Sequence, residues 1–204
     1  MAKRVNRDEI DRFHDYGLYV PSRTIYMGSE CVSDTDSSDS GTDAIMAEKM
    51  IKNLNILDSA SQEPIVIIMN NPGGDVNHGL AIYDAIKVCR SHVTIKVFGY
   101  AMSMGSIILM SADERHMSKM SSQMIHYGTM AVDGHAKTTY KQADENKRID
   151  KWMEQMYLKR IQEKQPDFTL ARLQRMLDHD TFLTAEESVE LGLADKVIGE
   201  ENEQ

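Results

Sequence analysis

Cysteine, proline and tryptophan are scarce in this chain of 204 residues, which holds two, four and one of them. Two cysteines, Cys31 and Cys89, cannot build a disulfide framework or supply a four-ligand zinc site on their own. Long apolar runs are lacking too, and nothing approaches the roughly 20 residues that span a bilayer. Residues 1–8 carry positive charge with no apolar stretch behind it, so they do not read as a secretory signal. Basic residues are outnumbered, 23 against 32 acidic, for a net charge of −9. That excess argues against a dedicated nucleic-acid binder or a polybasic membrane-surface protein. What is present, 41% apolar and 27% charged residues, is the composition of a folded chain with one sizeable core. These properties predict a cytoplasmic single domain over residues 1–204, with neither a membrane nor a nucleic acid as partner.

Along the chain, residues 1–15 read as a flexible N-terminal segment, and Thr24 to Met27 as a short strand ending at Gly28. The acidic, Ser-rich stretch 33–43 reads as a solvated loop. Asp34 and Asp36 imitate the first positions of a calcium loop. The sixth position, which needs Gly, is Asp39, and the twelfth, which needs Glu, is Ile45, so the calcium reading fails. Met46, Met50, Leu54 and Leu57 then repeat at helical spacing, with Asp43 as a favourable anion near the start. The run Ile65-Val66-Ile67-Ile68-Met69 predicts a strand buried on both faces. Val76, Leu80, Tyr83 and Ile86 mark a second helix, and Val93, Ile95 and Val97 a second strand stopping at Gly99. Ile107 to Leu109 belong to a short helix ending near Asp113. Strand, helix, strand, helix in this order implies an α/β fold with parallel pairing and right-handed crossovers. A long charged helix is expected over 136–164, with Ile149, Met153, Met156 and Ile161 on one face, until Pro166 interrupts. Its charges fit self-association and a solvated face equally well. Thr184 and Glu187 form a capping box, and Gly192 suits the end of the helix they open.

The strongest local signal for chemistry is Ala101-Met102-Ser103-Met104-Gly105, between a predicted strand and a predicted helix. Small-x-Ser-x-Gly is the shape of a nucleophile elbow, in which a sharp turn lifts the Ser oxygen above the sheet. The competing reading is a Ser that caps the helix. Pro72-Gly73-Gly74 follows the other parallel strand, so both turns fall at the carboxyl end of one sheet, where open α/β sheets place their sites. Gly74 N–H and Met104 N–H could converge there on one oxyanion; the plainer reading is a β-to-α turn using glycine's freedom. A Ser nucleophile needs a base and an orienting acid. Of seven histidines, His126 lies just past the apolar segment Met124-Ile125, whereas His78 and His92 read as surface residues. With 32 acids to choose from, the third member stays open on this reading.

The segments Asn71-Pro72-Gly73-Gly74, Ala81-Ile82-Tyr83-Asp84, residues 99–105, Met124-Ile125-His126 and residues 180–195 together resemble the proteolytic subunit of the Clp protease. The ordered match runs from about Tyr16 to about Ile198. The resemblance implies a crotonase-like fold of repeated βαβ units, with the helix over 136–164 as a protruding handle. It implies a serine endopeptidase with Ser103 as nucleophile, His126 as base and Asp180 as orienting acid. Gly74 and Met104 would donate the oxyanion hole through their backbones, and no cofactor or metal is implied. It further implies heptameric rings, stacked as a tetradecamer, that cleave unfolded polypeptides delivered by an ATP-driven AAA+ ring unfoldase. The chain carries no phosphate-binding G-x-x-x-x-G-K-[ST] loop of its own.

Three departures stand out. Thr181 replaces the Arg that usually follows the acid and links two rings, Tyr127-Gly128 replaces Gln-Pro after the His, and the loop over 33–43 is longer. They imply a divergent relative of phage or plasmid type, acting in the host cytoplasm if phage-encoded. Rival readings are a non-catalytic ring or assembly paralogue, an acyl-CoA hydratase relative with Asp75 as its one acid beside Gly74, and a Ser–Lys peptidase with Lys119 or Lys137 as base. The methionines Met102, Met104, Met110, Met117, Met120, Met124 and Met130 cluster around Ser103 and His126. They can be read as a pocket tolerant of apolar side chains or as core filler.

Overall fold

The computed structural model describes residues 6–28, 41–128 and 134–199. Cys31, Met130, the calcium-like Asp34, Asp36 and Asp39, most of the acidic loop and the first five residues therefore lie outside the described residues. The rest of the N-terminal segment forms helix α1 (Arg7–Tyr16), closed in front by an Asn6/Glu9 capping box and behind by Gly17 in the left-handed conformation.

Eight strands make one sheet: β1 (Leu18–Tyr19), β2 (Thr24–Met27), β3 (Ile65–Asn71), β4 (Val93–Met102), β5 (Glu114–Ser118), β6 (Ser122–Ile125), β7 (Thr181–Thr184) and β8 (Lys196–Ile198). Their main order is β1-β2-β3-β4-β5-β8, parallel from β2 onward. Helices α2 (Ala44–Ala60), α3 (Val76–Lys87) and α4 (Met104–Leu109) connect the parallel strands. Asp43 caps α2 by accepting from Met46 N–H at 2.7 Å, as the sequence suggests. The apolar face of β3 (Ile65, Ile67, Met69) is completely buried, but Val66 and Ile68 opposite are only half-covered. This corrects the expectation of burial on both faces.

A second correction sets up the site. β4 does not stop at Gly99. Met69 pairs with Val97 and Asn71 with Ala101, so β4 takes four steps where β3 takes two. Gly99 (φ +93°) absorbs the bulge, since a Cβ there would lie 2.5 Å from Asn70 Oδ1. Beyond it β4 leaves β5 and pairs with β6 through Tyr100, Ala101 and Met102. β6 in turn pairs antiparallel with β7. A third correction is smaller: α4 ends at Leu109, and residues up to Asp113 form the turn into β5.

Helix α5 (Ala136–Lys164) runs 29 residues, about 43 Å at the α-helical rise. Its buried residues begin only at Ile149, and its first three turns are mostly exposed. The second half is held firmly. Tyr157 is fully buried and hydrogen-bonds Ser106 on α4, and the Arg160 guanidinium donates to the carbonyls of Met110 and Ala112 just past α4. Helices α6 (Leu170–Leu177) and α7 (Ala185–Leu191) complete the chain, α7 with the expected Thr184/Glu187 box and Gly192 cap.

Arg115 on β5 is a buried cation whose fork engages Asp195 just before β8, Nε to Oδ2 at 3.0 Å and Nη2 to Oδ1 at 2.6 Å. Burial alone would raise the Asp195 pKa; the hydrogen bonds and charge of Arg115 outweigh it and hold the carboxyl below its ordinary value. A group depressed in this way adds stability above its unfolded pKa of about 3.9 and loses it as pH falls through the folded value. Arg115→Ala is therefore expected to cost about 2 kcal/mol at neutral pH, less than a fully buried pair because Asp195 is partly exposed. Thermal unfolding of both proteins from pH 7 to pH 3 checks this. The penalty should shrink in acid, and a constant one would contradict the pairing.

Candidate active site

Two register positions assemble the candidate residues. Met102 on β4 lies beside Met124 on β6, so Ser103 emerges next to the strand that ends before His126. Ile125 lies opposite Thr181 on β7, so the next pair outward is His126 and Asp180. Residues 54 apart in sequence meet because β6 and β7 run antiparallel.

Ser103 has φ +51° and ψ −122°, a conformation rare for a side chain with a Cβ. It occupies the N-cap position of α4, yet its hydroxyl caps nothing. Its main chain anchors the turn instead: the N–H donates to Met124 C=O at 2.9 Å, and its C=O accepts from Ser106 N–H and Oγ–H. The freed Oγ lies 2.8 Å from His126 Nε2, and His126 Nδ1 lies 2.9 Å from Asp180 Oδ1. An ionised carboxylate can only accept, so Nδ1–H donates to Asp180 and Nε2 accepts from the Ser103 hydroxyl. The imidazole is largely shielded, whereas the Asp180 side chain is 58% exposed. Thr181, at the position of the missing Arg, donates its hydroxyl to Met176 C=O at 2.6 Å.

The glycine turn packs against the elbow. Asn71, fully buried, accepts at Oδ1 from Gly73 N–H (2.8 Å) and from the Thr42 hydroxyl (3.1 Å). Thr42 forms a parallel bridge to Gly74, donating to Gly73 C=O and accepting from Asp75 N–H. A residue bridged in this way turns its own N–H to the opposite side, so Gly74 N–H faces away from Thr42. Gly73 (φ +106°) has no room for a side chain, because a Cβ would lie 2.6 Å from Ser103 Cβ and 3.1 Å from Met104 N. Asn71 and Thr42 escaped the reading of the sequence; an Asn two residues before an N–H that needs fixing was the available signal.

A sequence model of the Clp protease family matches residues 37–201. The chain belongs to the Clp protease family. Among its relatives, the ATP-dependent Clp protease proteolytic subunit of Deinococcus radiodurans is 32% identical over 197 residues, covering 95% of this chain and 89% of that one. The ATP-dependent Clp protease proteolytic subunit 1 of Protochlamydia amoebophila is 36% identical over 169 residues, covering 80% and 78%. The crotonase-like α/β fold follows with the family, and so does the class of the protein, a peptidase.

In this member of the family, Tyr127 after His126 is tied to the helices outside the sheet. Its N–H donates to Leu177 C=O at 2.8 Å and its hydroxyl to the Glu154 carboxylate, which also accepts from Gln174 Nε2. Burial, and then the bond to Glu154, push the phenol pKa well above its usual range. Ser103 Oγ is bonded to His126 Nε2, the arrangement of a Ser–His pair rather than of the Ser–Lys reading with Lys119 or Lys137. His92 lies beside Asp113 and Glu114, and His116 is bonded to Glu114, both away from Ser103. Among the described residues no cluster of three His, Cys, Asp or Glu is placed to hold a metal ion, and no helix is long and apolar enough to cross a membrane.

A pocket of about 160 Å³ is lined by residues that follow the glycine turn and His126 in the chain. Val76 and Asn77 at the start of α3, Gly128 beyond His126, and Asn146, Ile149, Asp150 and Met153 of α5 line it. None of the six described methionines of the cluster lines it. Met104, Met110, Met117 and Met124 are buried in the core, and Met120 is almost fully exposed. Of the two readings, core filling describes Met104, Met110, Met117 and Met124.

Proposed function

We propose that the chain is a serine endopeptidase whose nucleophile is Ser103, with His126 as base, Asp180 as orienting acid and the N–H groups of Gly74 and Met104 as the oxyanion site. The observation that carries this reading is the Ser103 hydroxyl held 2.8 Å from His126 Nε2 by a backbone with φ +51°. A capping Ser needs neither feature.

Ser103 Oγ attacks the peptide carbonyl while its proton passes to His126 Nε2. The new imidazolium donates from Nδ1 to Asp180, which stabilises the charge without itself taking the proton. Gly74 and Met104 N–H receive the oxyanion of the tetrahedral intermediate, where donors fixed in advance contribute most. His126 Nε2–H then protonates the leaving amine, giving an acyl-enzyme on Ser103. Water, deprotonated by His126, releases the acid by the same steps reversed.

Residues 1–204 form one peptidase domain on this proposal, active in the cytoplasm on unfolded polypeptides. The ATP dependence in the name of the Deinococcus radiodurans relative, an ATP-dependent Clp protease proteolytic subunit, supports an ATP-driven unfoldase as partner. Seven-membered rings, with the exposed first half of α5 as the helix that meets another copy, complete the proposal.

A fluorophosphonate probe tests the chemistry, since an activated serine attacks its phosphorus, displaces fluoride and becomes phosphonylated. The wild-type chain should be labelled on the peptide containing Ser103, and Ser103→Ala should carry no label. Undiminished labelling of that variant would remove Ser103 from the site.

A further inference from the structure

The pocket between the start of α3, Gly128 and α5 contains one charged group among its lining residues. Asp150 contributes a half-buried carboxylate that has no hydrogen-bond or ion-pair partner among the described residues, whereas Glu154, one turn later, is satisfied by Tyr127 and Gln174. The other walls are largely apolar: Val76 from α3, and Ile149 and Met153 from α5. Leaving a carboxylate partly desolvated and unpaired costs stability. A second carboxylate four residues along the same helix adds repulsion. Both penalties fall when a cation enters.

The pocket's position defines which substrate residue would enter. In the proposed mechanism, the carbonyl that rests on Gly74 and Met104 belongs to the residue on the amino side of the cut. Its side chain leaves one bond from that carbonyl. The pocket is bounded by Val76, two residues past Gly74, and by Gly128, two residues past His126. An extended side chain with an apolar stem and a cationic end matches these walls, the stem along Val76, Ile149 and Met153 and the end against Asp150.

We propose that Asp150 is a specificity-determining residue, selecting lysine or arginine immediately before the cleaved bond. The inference rests on the active-site reading above. Burial, followed by the charge of Glu154, holds the Asp150 pKa above the ordinary carboxylate value, the condition that a bound cation would reverse.

The test compares fluorogenic peptides identical except before the cut, where the residue is lysine, glutamate or norleucine, the last keeping the apolar stem without the charge. The wild-type kcat/KM should favour lysine by about tenfold, the scale of a charge-assisted contact in a partly wet pocket. In Asp150→Asn, a near-isosteric change that removes an unpaired charge, the ratio should fall to about one. In Asp150→Lys the preference should pass to glutamate. Equal or faster cleavage of norleucine by the wild type, or a lysine preference surviving in Asp150→Asn, would overturn the proposal. Ser103→Ala separates the two levels. If that variant is silent while the wild type ignores the charge, the active-site reading stands and Asp150 loses its role. If that variant still cleaves, or the wild type cleaves none of the peptides, both are lost.

Discussion

Asp180→Asn is expected to lower kcat about 10³-fold with little change in KM. The two side chains have the same shape, so the position of His126 should survive. What changes is its proton. Nδ1–H now donates to a group that can only accept. An amide can instead turn its NH₂ toward Nδ1, which moves the ring proton to Nε2 and points it at Ser103. The nucleophile then faces a donor where it needs a base. Where the acid is buried, the same replacement costs roughly 10⁴. Asp180 is more than half exposed, and water competing for the imidazole softens the loss. Steady-state kinetics on a short peptide, beside the rate of fluorophosphonate labelling, gives the measurement. A kcat within tenfold of wild type would show that Asp180 does not orient the base.

Gly73→Ala should be the second most damaging change, lowering kcat/KM by about 10²-fold although residue 73 performs no chemistry. At φ +106° an L side chain is strained whatever surrounds it, at a cost of about 1–3 kcal/mol. Here the surroundings are full as well. The methyl group would meet Ser103 Cβ at 2.6 Å and Met102 C=O at 2.9 Å, parts of the turn that have nowhere to retreat. Either the glycine turn or the elbow must shift, separating the Gly74 donor from the Ser103 oxygen. Misplacement by about 1 Å is enough for a loss of this size. Gly199→Ala is the control, because φ there is +100° and the backbone strain is similar, yet a Cβ meets nothing within 4 Å. Loss of activity in Gly73→Ala, with a melting temperature only modestly lowered, is the expected pattern. Full activity would mean that the two turns are not packed as described.

The parts of the fold that were legible in the sequence are those whose causes are local. The α7 capping box needs only Thr184 and Glu187, and the Asp43 cap needs only the start of α2. The elbow pentapeptide and a His just past an apolar segment likewise suffice to pair Ser103 with His126. Asp180 could not be chosen from 32 acids by residue pattern; only the family resemblance named it, because its place depends on the β6–β7 register. β5 was hidden for a related reason. Glu114-Arg115-His116 looks like surface, yet Arg115 is buried because Asp195, 80 residues away, receives it. Gly99 reads as a strand end because nothing nearby reveals that Asn70 of the neighbouring strand fills its missing side chain. The methionines left two readings open because a flexible apolar residue suits a core as well as a pocket.

The bond from Ser103 N–H to Met124 C=O ties the alcohol to the rung of the sheet that carries the imidazole two residues later. Bending or breathing of the sheet moves both together, so their separation is buffered against motions that would open a pair carried on independent loops. The carboxylate rides one strand farther out, at the rim. Of the two joints in the relay, the outer one is therefore where a neighbouring molecule pressing on that rim could gain leverage over the enzyme's rate.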